Sequence, residues 1–409
     1  IFMSNVSSSN SQAVRVPKLR FKDESGCDFP QYQAETVRSL FKHISRRNTT
    51  MENSNVITNS AEYGLIPQRD FFDKDIAVEG NTEKYYIIEQ GDFVYNPRKS
   101  TTAPYGPFNC YQGDKEGIVS PLYTCLKPLH RDFTEYLLWY FKSPAWYSYI
   151  YHNGAQGGAR HDRVGMTTEL MDGIPVHLPC LDEQKKISEF LSTLEKRIDK
   201  QRQLVELLKS YKRGVLSKLF PQNDETTPQY RFAGFTEPWE CRKINDIADR
   251  FDNLRIPVTS NLRIAGNTPY YGANGIQDYV EGFTHDGEFV LVAEDGANDL
   301  QNYPVRRVQG KIWVNNHAHV LQGKQGVCDN SFLAYSIGQT DIESLLVGGG
   351  RAKLNADTMM NIKIYLPKLD EQMAIGNFIS NLDCLIIAYQ HKVDELQVQK
   401  SALLQQLFI

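Results

Sequence analysis

The sequence lacks most of the signatures that announce a chemistry. Its seven cysteines (Cys27, Cys110, Cys125, Cys180, Cys241, Cys328 and Cys384) are scattered without a C-x-x-C pair. That excludes a disulfide framework and a cysteine zinc cluster, and it fits reduced thiols in a cytoplasmic protein. No stretch approaches the run of about 18 apolar residues that a membrane span needs, so no membrane partner is expected. The first residues, Ile1-Phe2-Met3-Ser4, show neither a basic nor an apolar export region. There is no Walker A loop and no G-x-G-x-x-G opening a helix. An amino-methyltransferase would need an Asn/Asp-Pro-Pro-aromatic loop, and the nearest strings, Asn96-Pro97-Arg98 and Thr268-Pro269-Tyr270, do not supply it. A catalytic group is therefore not expected in this chain. A general excess of positive charge is missing too: 45 basic residues face 49 acidic ones. Any contact with nucleic acid must then rest on local clusters or on a partner's charge.

What the chain has is repetition. The segments 176–220 and 364–408 align without a gap at an offset of 188, with 17 identical positions. Each opens on Leu-Pro-x-Leu-Asp-Glu-Gln, as Leu178 to Gln184 and as Leu366 to Gln372. Alternating spacings of four and three run through both. Apolar residues fall at Ile187, Leu191, Leu194, Ile198, Val205 and Leu208, and again at Ile375, Ile379, Leu382, Ile386, Val393 and Leu396. Gln201 and Tyr389 share this seam, as do Lys212 and Lys400. Such a heptad pattern predicts two coiled-coil helices, each about 38 residues or roughly 57 Å long, whose seams face each other. A proline followed by Asp and Glu in the first turn is a helix-start signal, and interaction with the helix dipole is sufficient reason for those acids. The first copy carries a net +4 (10 basic, 6 acidic) and the second −2 (3 basic, 5 acidic).

The repetition extends more weakly outside the helices. Pro17-Lys18-Leu19-Arg20-Phe21 matches Pro228-Gln229-Tyr230-Arg231-Phe232, and Gly91-Asp92-Phe93-Val94 matches Gly287-Glu288-Phe289-Val290. Four segments result: a first domain 15–175, helix 176–220, a second domain 221–363 and helix 364–409. The domains read as mixed α and β. Short β-branched and aromatic runs (Tyr85 to Ile88, Phe289 to Val292, Lys311 to Val314) alternate with turn signals at Asn274-Gly275 and Asp295-Gly296, and Phe133 to Phe141 and Phe332 to Ile337 read as short helices. Both domains carry a glycine-rich turn followed by cations, with Arg160 and Arg163 after Gly154 to Gly158, and Arg351 and Lys353 after Gly348 to Gly350. Glycines allow close approach to a phosphodiester, and the adjacent cations can neutralise phosphate or pair bidentately with guanine. Arg46, Arg47, Arg98 and Lys99 are further cationic candidates. Gln156, Asn274, Asn298, Asn315 and Asn316 are amides of the kind that pair with adenine. Each polar residue taken singly reads first as part of a solvated loop, whereas the two Gly-Arg turns, matched between the domains, read as functional. His317-x-His319 puts two imidazoles on one strand face, but no third metal ligand accompanies them.

These strings together resemble type I restriction–modification specificity (S) subunits. The duplicated Leu-Pro-x-Leu-Asp-Glu-Gln helix carries most of the likeness. The Pro-x-x-Arg-Phe openings, Tyr270 to Gly275, Val314 to Val320 and Gly350 to Leu354 add to it. The resemblance covers residues 16–409, although the first domain has Ser120-Pro121-Leu122 where the second has Asn315-Asn316-His317. It implies an α+β fold: two target-recognition domains separated by long helices that form an antiparallel coiled coil with pseudo-two-fold symmetry. Each domain would read one half of a bipartite site on double-stranded DNA. The helices would dock two modification (methyltransferase) subunits, and two restriction (translocase and nuclease) subunits would join them. S-adenosylmethionine, ATP and Mg would bind on those partners and not here. An orphan coiled-coil scaffold that binds modification subunits without reading DNA is the competing expectation.

Overall fold

The computed structural model describes residues 16–71, 82–154, 162–222, 225–348 and 352–409. They form two compact units: residues up to Lys200 together with Val393–Ile409, and Gln201–Lys392. The division runs through both long helices, where the sequence reading treats helices and domains as separate segments.

In the first unit a four-stranded antiparallel sheet is built from β1 (Phe41–His43), β2 (Phe93–Tyr95), β3 (Phe108–Cys110) and β4 (Thr124–Pro128), in the order β1-β4-β2-β3. Helix α1 (Thr134–Lys142) covers it. Its residues Tyr136, Trp139, Tyr140 and Phe141 are all buried, and Phe141 lies 4.0 Å, ring to ring, from Phe108. The domain begins and ends on one ribbon, because Gln33–Thr36 pairs antiparallel with Pro175–Leu178, the strand that runs into the first long helix.

The second unit repeats the plan with a larger sheet. Its strands are β5 (Ala248–Arg250), β6 (Ala265–Gly272), β7 (Gly275–Val280), β8 (His285–Ala293), β9 (Val305–Val314) and β10 (Ala318–Gly323), in the order β5-β10-β8-β9-β6-β7. All pairs are antiparallel except β6 with β9. Glu240–Lys243 pairs with Lys363–Leu366 ahead of the second long helix, as the corresponding ribbon does in the first unit. Helix α3 (Asn330–Gly338) starts where the Asp329 carboxylate caps the Phe332 amide, and its residues Phe332, Leu333 and Ile337 are fully buried.

The long helices are α2 (Leu181–Leu219) and α4 (Leu369–Leu407). Within the first unit the start of α2 packs on the end of α4, with Ile187, Leu191, Leu404 and Leu407 in one cluster. Within the second, Leu219 and Phe220 pack with Ile375 and Ile379. In each unit the two helices therefore run antiparallel. Of the twelve apolar seam positions read from the sequence, Ile187, Leu191, Ile198, Val205, Ile375, Ile379, Val393 and Leu396 are buried, and Leu194, Leu208, Leu382 and Ile386 are partly buried. The seam lysines sit beside carboxylates: Lys400 Nζ lies 2.6 Å from Glu195, and Lys212 Nζ lies 2.5 Å from Asp383. Because 195 and 383, like 212 and 400, differ by the repeat offset, these are one interaction made twice.

The helix starts hold a second duplicated contact, and it corrects the reading of their acids. Asp182 is exposed as a first-turn acid should be, but Glu183 and Glu371 are buried, 0% and 1% exposed. Arg20 of the first Pro-x-x-Arg-Phe grips Glu183 with both arms, at 3.0 and 2.6 Å. Arg231 grips Glu371 in the same way, at 2.8 and 2.6 Å. The following phenylalanine meets the helix edge-on: Phe21 with Phe190 at 5.6 Å, and Phe232 with Phe378 at 5.7 Å. One residue earlier, the Leu19 amide donates to the Gln406 carbonyl and the Tyr230 amide to the Lys218 carbonyl. The motif is thus a clasp tying the start of one long helix to the end of the other. The Gln of each motif turns back to the proline carbonyl, Gln184 to Pro179 at 2.8 Å and Gln372 to Pro367 at 2.9 Å. A dipole interaction alone would have left the glutamates in solvent.

Candidate nucleic-acid interface

In the second unit four loops converge at one end of the large sheet. The turn between β6 and β7 carries Asn274, whose amide donates to the Gly296 carbonyl and accepts from the Asn298 amide, both at 2.9 Å. The loop after β8 includes Asp295, which meets His317 Nδ1 at 2.5 Å and forms a β-bridge with Lys353. The β9–β10 turn places Asn315 with its carbonyl on the His317 amide (2.8 Å) and its amino group toward Gln277 (3.4 Å). Gly272 leaves room for the Gln277 side-chain amide, whose nitrogen would lie 2.2 Å from a Cβ at that position. Gly275, at φ +117°, takes a conformation that other residues adopt only with strain.

The scattered candidates of this domain thus belong to one place, but they divide into two kinds. Asn274, the buried Asn315 and Lys353 brace the loops, with the Lys353 ammonium held 2.8 Å from Glu294. Their polar groups are already engaged, which disfavours direct base pairing in this arrangement. Asn298 and Asn316 are exposed. Arg351 lies outside the described residues. The reading missed Arg306, an exposed arginine whose guanidinium lies over Gly275 and which has no ion pair among the described residues. Nothing in its own string, Val-Arg-Arg-Val, distinguished it, because strand pairing is what carries it to the turn.

Behind these loops lies a set of charges that the sequence reading did not assemble. Arg255 is 2.6 Å from Glu294 and 3.6 Å from Asp252. His319, 1% exposed, has Nδ1 at 2.7 Å from Asp252 and Nε2 at 2.9 Å from the Leu354 carbonyl. Burial pushes the Asp252 carboxyl up, but hydrogen bonding and charge from His319, the Val320 amide and Arg255 outweigh it, leaving it below the usual range. Glu294 is lowered in the same way, with burial opposed by Lys353, Arg255 and His319. His317 and His319 therefore face separate carboxylates, and among the described residues no group of three His, Cys, Asp or Glu side chains is placed to hold a metal.

In the first unit the candidates fall in two places. Arg98 forms a β-bridge with Arg163, the Lys99 amide donates to the Asp162 carbonyl and the Val164 amide to the Pro97 carbonyl. This repeats the second domain, where Lys353, downstream of the glycine-rich turn, also bridges to the loop leaving the central strand. Arg98 and Lys99 are exposed, and Arg163 Nε is buried with no partner among the described residues. Gln156 and Arg160 lie outside the described residues. Arg46 and Arg47 belong elsewhere: Arg46 reaches Glu116 at 2.6 Å and Glu89 at 3.4 Å, and Arg47 stacks 3.6 Å above the Tyr86 ring and donates to the Lys84 carbonyl.

A domain and a clasped helix, made twice, with polar loops gathered at the sheet end of the second copy, define a duplicated binding module. The chain belongs to the type I restriction modification DNA specificity domain family, which residues 38–209 and 236–397 match. It is 44% identical over 146 residues to the putative type I restriction enzyme specificity subunit S.HindORF215P of Haemophilus influenzae, a match covering 36% of this chain and 38% of that one. Two proteins of Methanocaldococcus jannaschii are 22% identical. The match to the MjaVIII specificity subunit covers 58% of this chain and 61% of that one, and the match to the putative MjaX specificity subunit covers 78% of each. The chain thus spans under two thirds of the first two relatives. In fold it is similar to the crystal structure of a type I restriction-modification S subunit from M. genitalium, with TM-score 0.59, 16% identity and coverage of 97% and 99%. A chain solved in work on complex assembly and conformational transition of the type I R-M system has TM-score 0.55, 16% identity and coverage of 93% and 98%. No described helix is long and apolar enough to cross a membrane.

Proposed function

We propose that this chain is the non-catalytic DNA-recognition subunit of a cytoplasmic type I restriction–modification complex. Each domain reads one half of a bipartite target on double-stranded DNA, and the helices dock two modification subunits, to which two restriction subunits are added. S-adenosylmethionine, ATP and Mg act on those partners. The observation that carries this reading is the duplicated clasp. It attaches two diverged domains to one helical frame by the same residues, as a split target with two different halves requires. The near-neutral charge fits a protein whose partners supply many of the phosphate contacts. The test is methyl transfer to duplex DNA by the chain alone, by modification subunits alone and by the two combined. Adenine methylation at a defined sequence only in the combination supports the proposal. Sequence-indifferent methylation in the combination, or methylation by the chain alone, contradicts it.

A further inference from the structure

His319 is buried and engaged through both ring nitrogens. Its Nδ1 is 2.7 Å from Asp252 Oδ2 and its Nε2 is 2.9 Å from the Leu354 carbonyl oxygen. The other Asp252 oxygen takes the Val320 amide at 2.8 Å. Facing the ring are the carboxylates of Asp252 and Glu294, the latter 3.7 Å from Nδ1. The other charged groups packed around those carboxylates are Arg250 (3.8 Å from Asp252), Arg255 and Lys353. His285 bonds to the Phe251 carbonyl, one residue before Asp252.

The position of the bond gives it a consequence. Leu354 is fully buried and held on both sides, its amide donating to the Glu294 carbonyl at 2.8 Å and its carbonyl accepting from His319. The residue before it, Lys353, bridges to Asp295 and Val347 and reaches the Glu294 carboxylate. One ring therefore ties together β10, the turn at Asp252 and the segment that carries Lys353 and Leu354 against the loop of Asp295 and Asn298. We propose that His319 is a positioning residue that fixes where the loops of the second domain meet DNA. The proposal rests on the reading of that loop cluster as the DNA-facing end.

Selection from a randomised duplex library by the full chain assembled with modification subunits tests it. For His319→Gln, base selectivity should fall about tenfold in one half-site, the scale of one charge-assisted hydrogen bond, with the other half unchanged. Glu294→Gln, which releases Arg255 and Lys353 at the same loops, should weaken the same half. Selectivity lost in both halves or in neither overturns the positioning role. Should the wild-type complex select no sequence, the DNA-reading proposal itself fails and the positioning role falls with it, an outcome distinct from a wild type that selects while the variants leave both halves unchanged.

Discussion

Replacing Arg231 by alanine should be among the most damaging single changes in the second unit. The Arg231 side chain is 16% exposed and the Glu371 side chain 1%. Two charge-assisted hydrogen bonds of 2.8 and 2.6 Å join them. Hydrogen bonding from Glu371 raises the arginine above its already high ordinary value, so it is charged at any working pH. Without it the carboxylate is left in a place water barely reaches. Breaking a buried pair in this way costs about 3–5 kcal/mol, far more than the pair contributes relative to an apolar replacement of similar volume. With roughly 2–4 °C per kcal/mol for a unit of this size, the melting transition should fall by about 6–20 °C. Urea unfolding followed by tryptophan fluorescence is a suitable assay, because Trp239 packs against Phe220 and Phe332 in the cluster that includes Ile375 and Ile379. The double variant Arg231→Met with Glu371→Leu should recover most of the loss, since it removes both charges. A loss below about 1 kcal/mol for Arg231→Ala would refute the reasoning, because it would mean that the carboxylate finds solvent or another donor and that the clasp is an ordinary surface contact.

The seam ion pair should behave differently. In Lys400→Ala the orphaned Glu195 side chain is 25% exposed and can reach water, so urea unfolding should show a loss of about 1 kcal/mol. Leu191→Ala, at a fully buried seam position, should cost about 2–5 kcal/mol in the same assay, depending on how far the site collapses. The depressed carboxyls Asp252 and Glu294 make the second unit acid-sensitive. The unfolded chain binds protons on these groups at higher pH than the folded one. Their contribution is therefore complete above the ordinary carboxyl range, about pH 4–4.5, and is lost as pH falls through the lower folded-state values. Melting curves from pH 6 to pH 3 should show the loss, and Glu294→Gln should flatten it.

The parts of this fold legible in the sequence are those written in local periodicity. Five heptads at spacings of four and three mark both long helices, and eight of the twelve apolar seam positions are buried. The runs Phe289 to Val292 and Lys311 to Val314 lie inside strands, and Thr134–Lys142 is a helix close to where its aromatics suggested. The parts that were not legible depend on long-range pairing. Arg20 and Glu183 stand 163 positions apart, so each shows its local character, a loop cation and a first-turn acid, and neither shows its partner. The strands Gln33–Thr36 and Glu240–Lys243 are polar and mostly exposed, with no alternation to mark them. The loop asparagines were found as a type, but braces and free groups look the same in sequence. Asn315 and Asn316 are adjacent, one buried and bonded, the other exposed.

The central claim is that two diverged domains on one duplicated frame read two different half-sites. Methylome sequencing of a host that expresses this chain with its modification subunits tests it most directly. The account predicts methylated adenine in a single asymmetric motif of two short specified blocks separated by a fixed unspecified spacer. It also predicts that Asn316→Ala together with Arg306→Ala relaxes one block and leaves the other intact. Methylation without a bipartite motif, or a change in both blocks from those two substitutions, would contradict it.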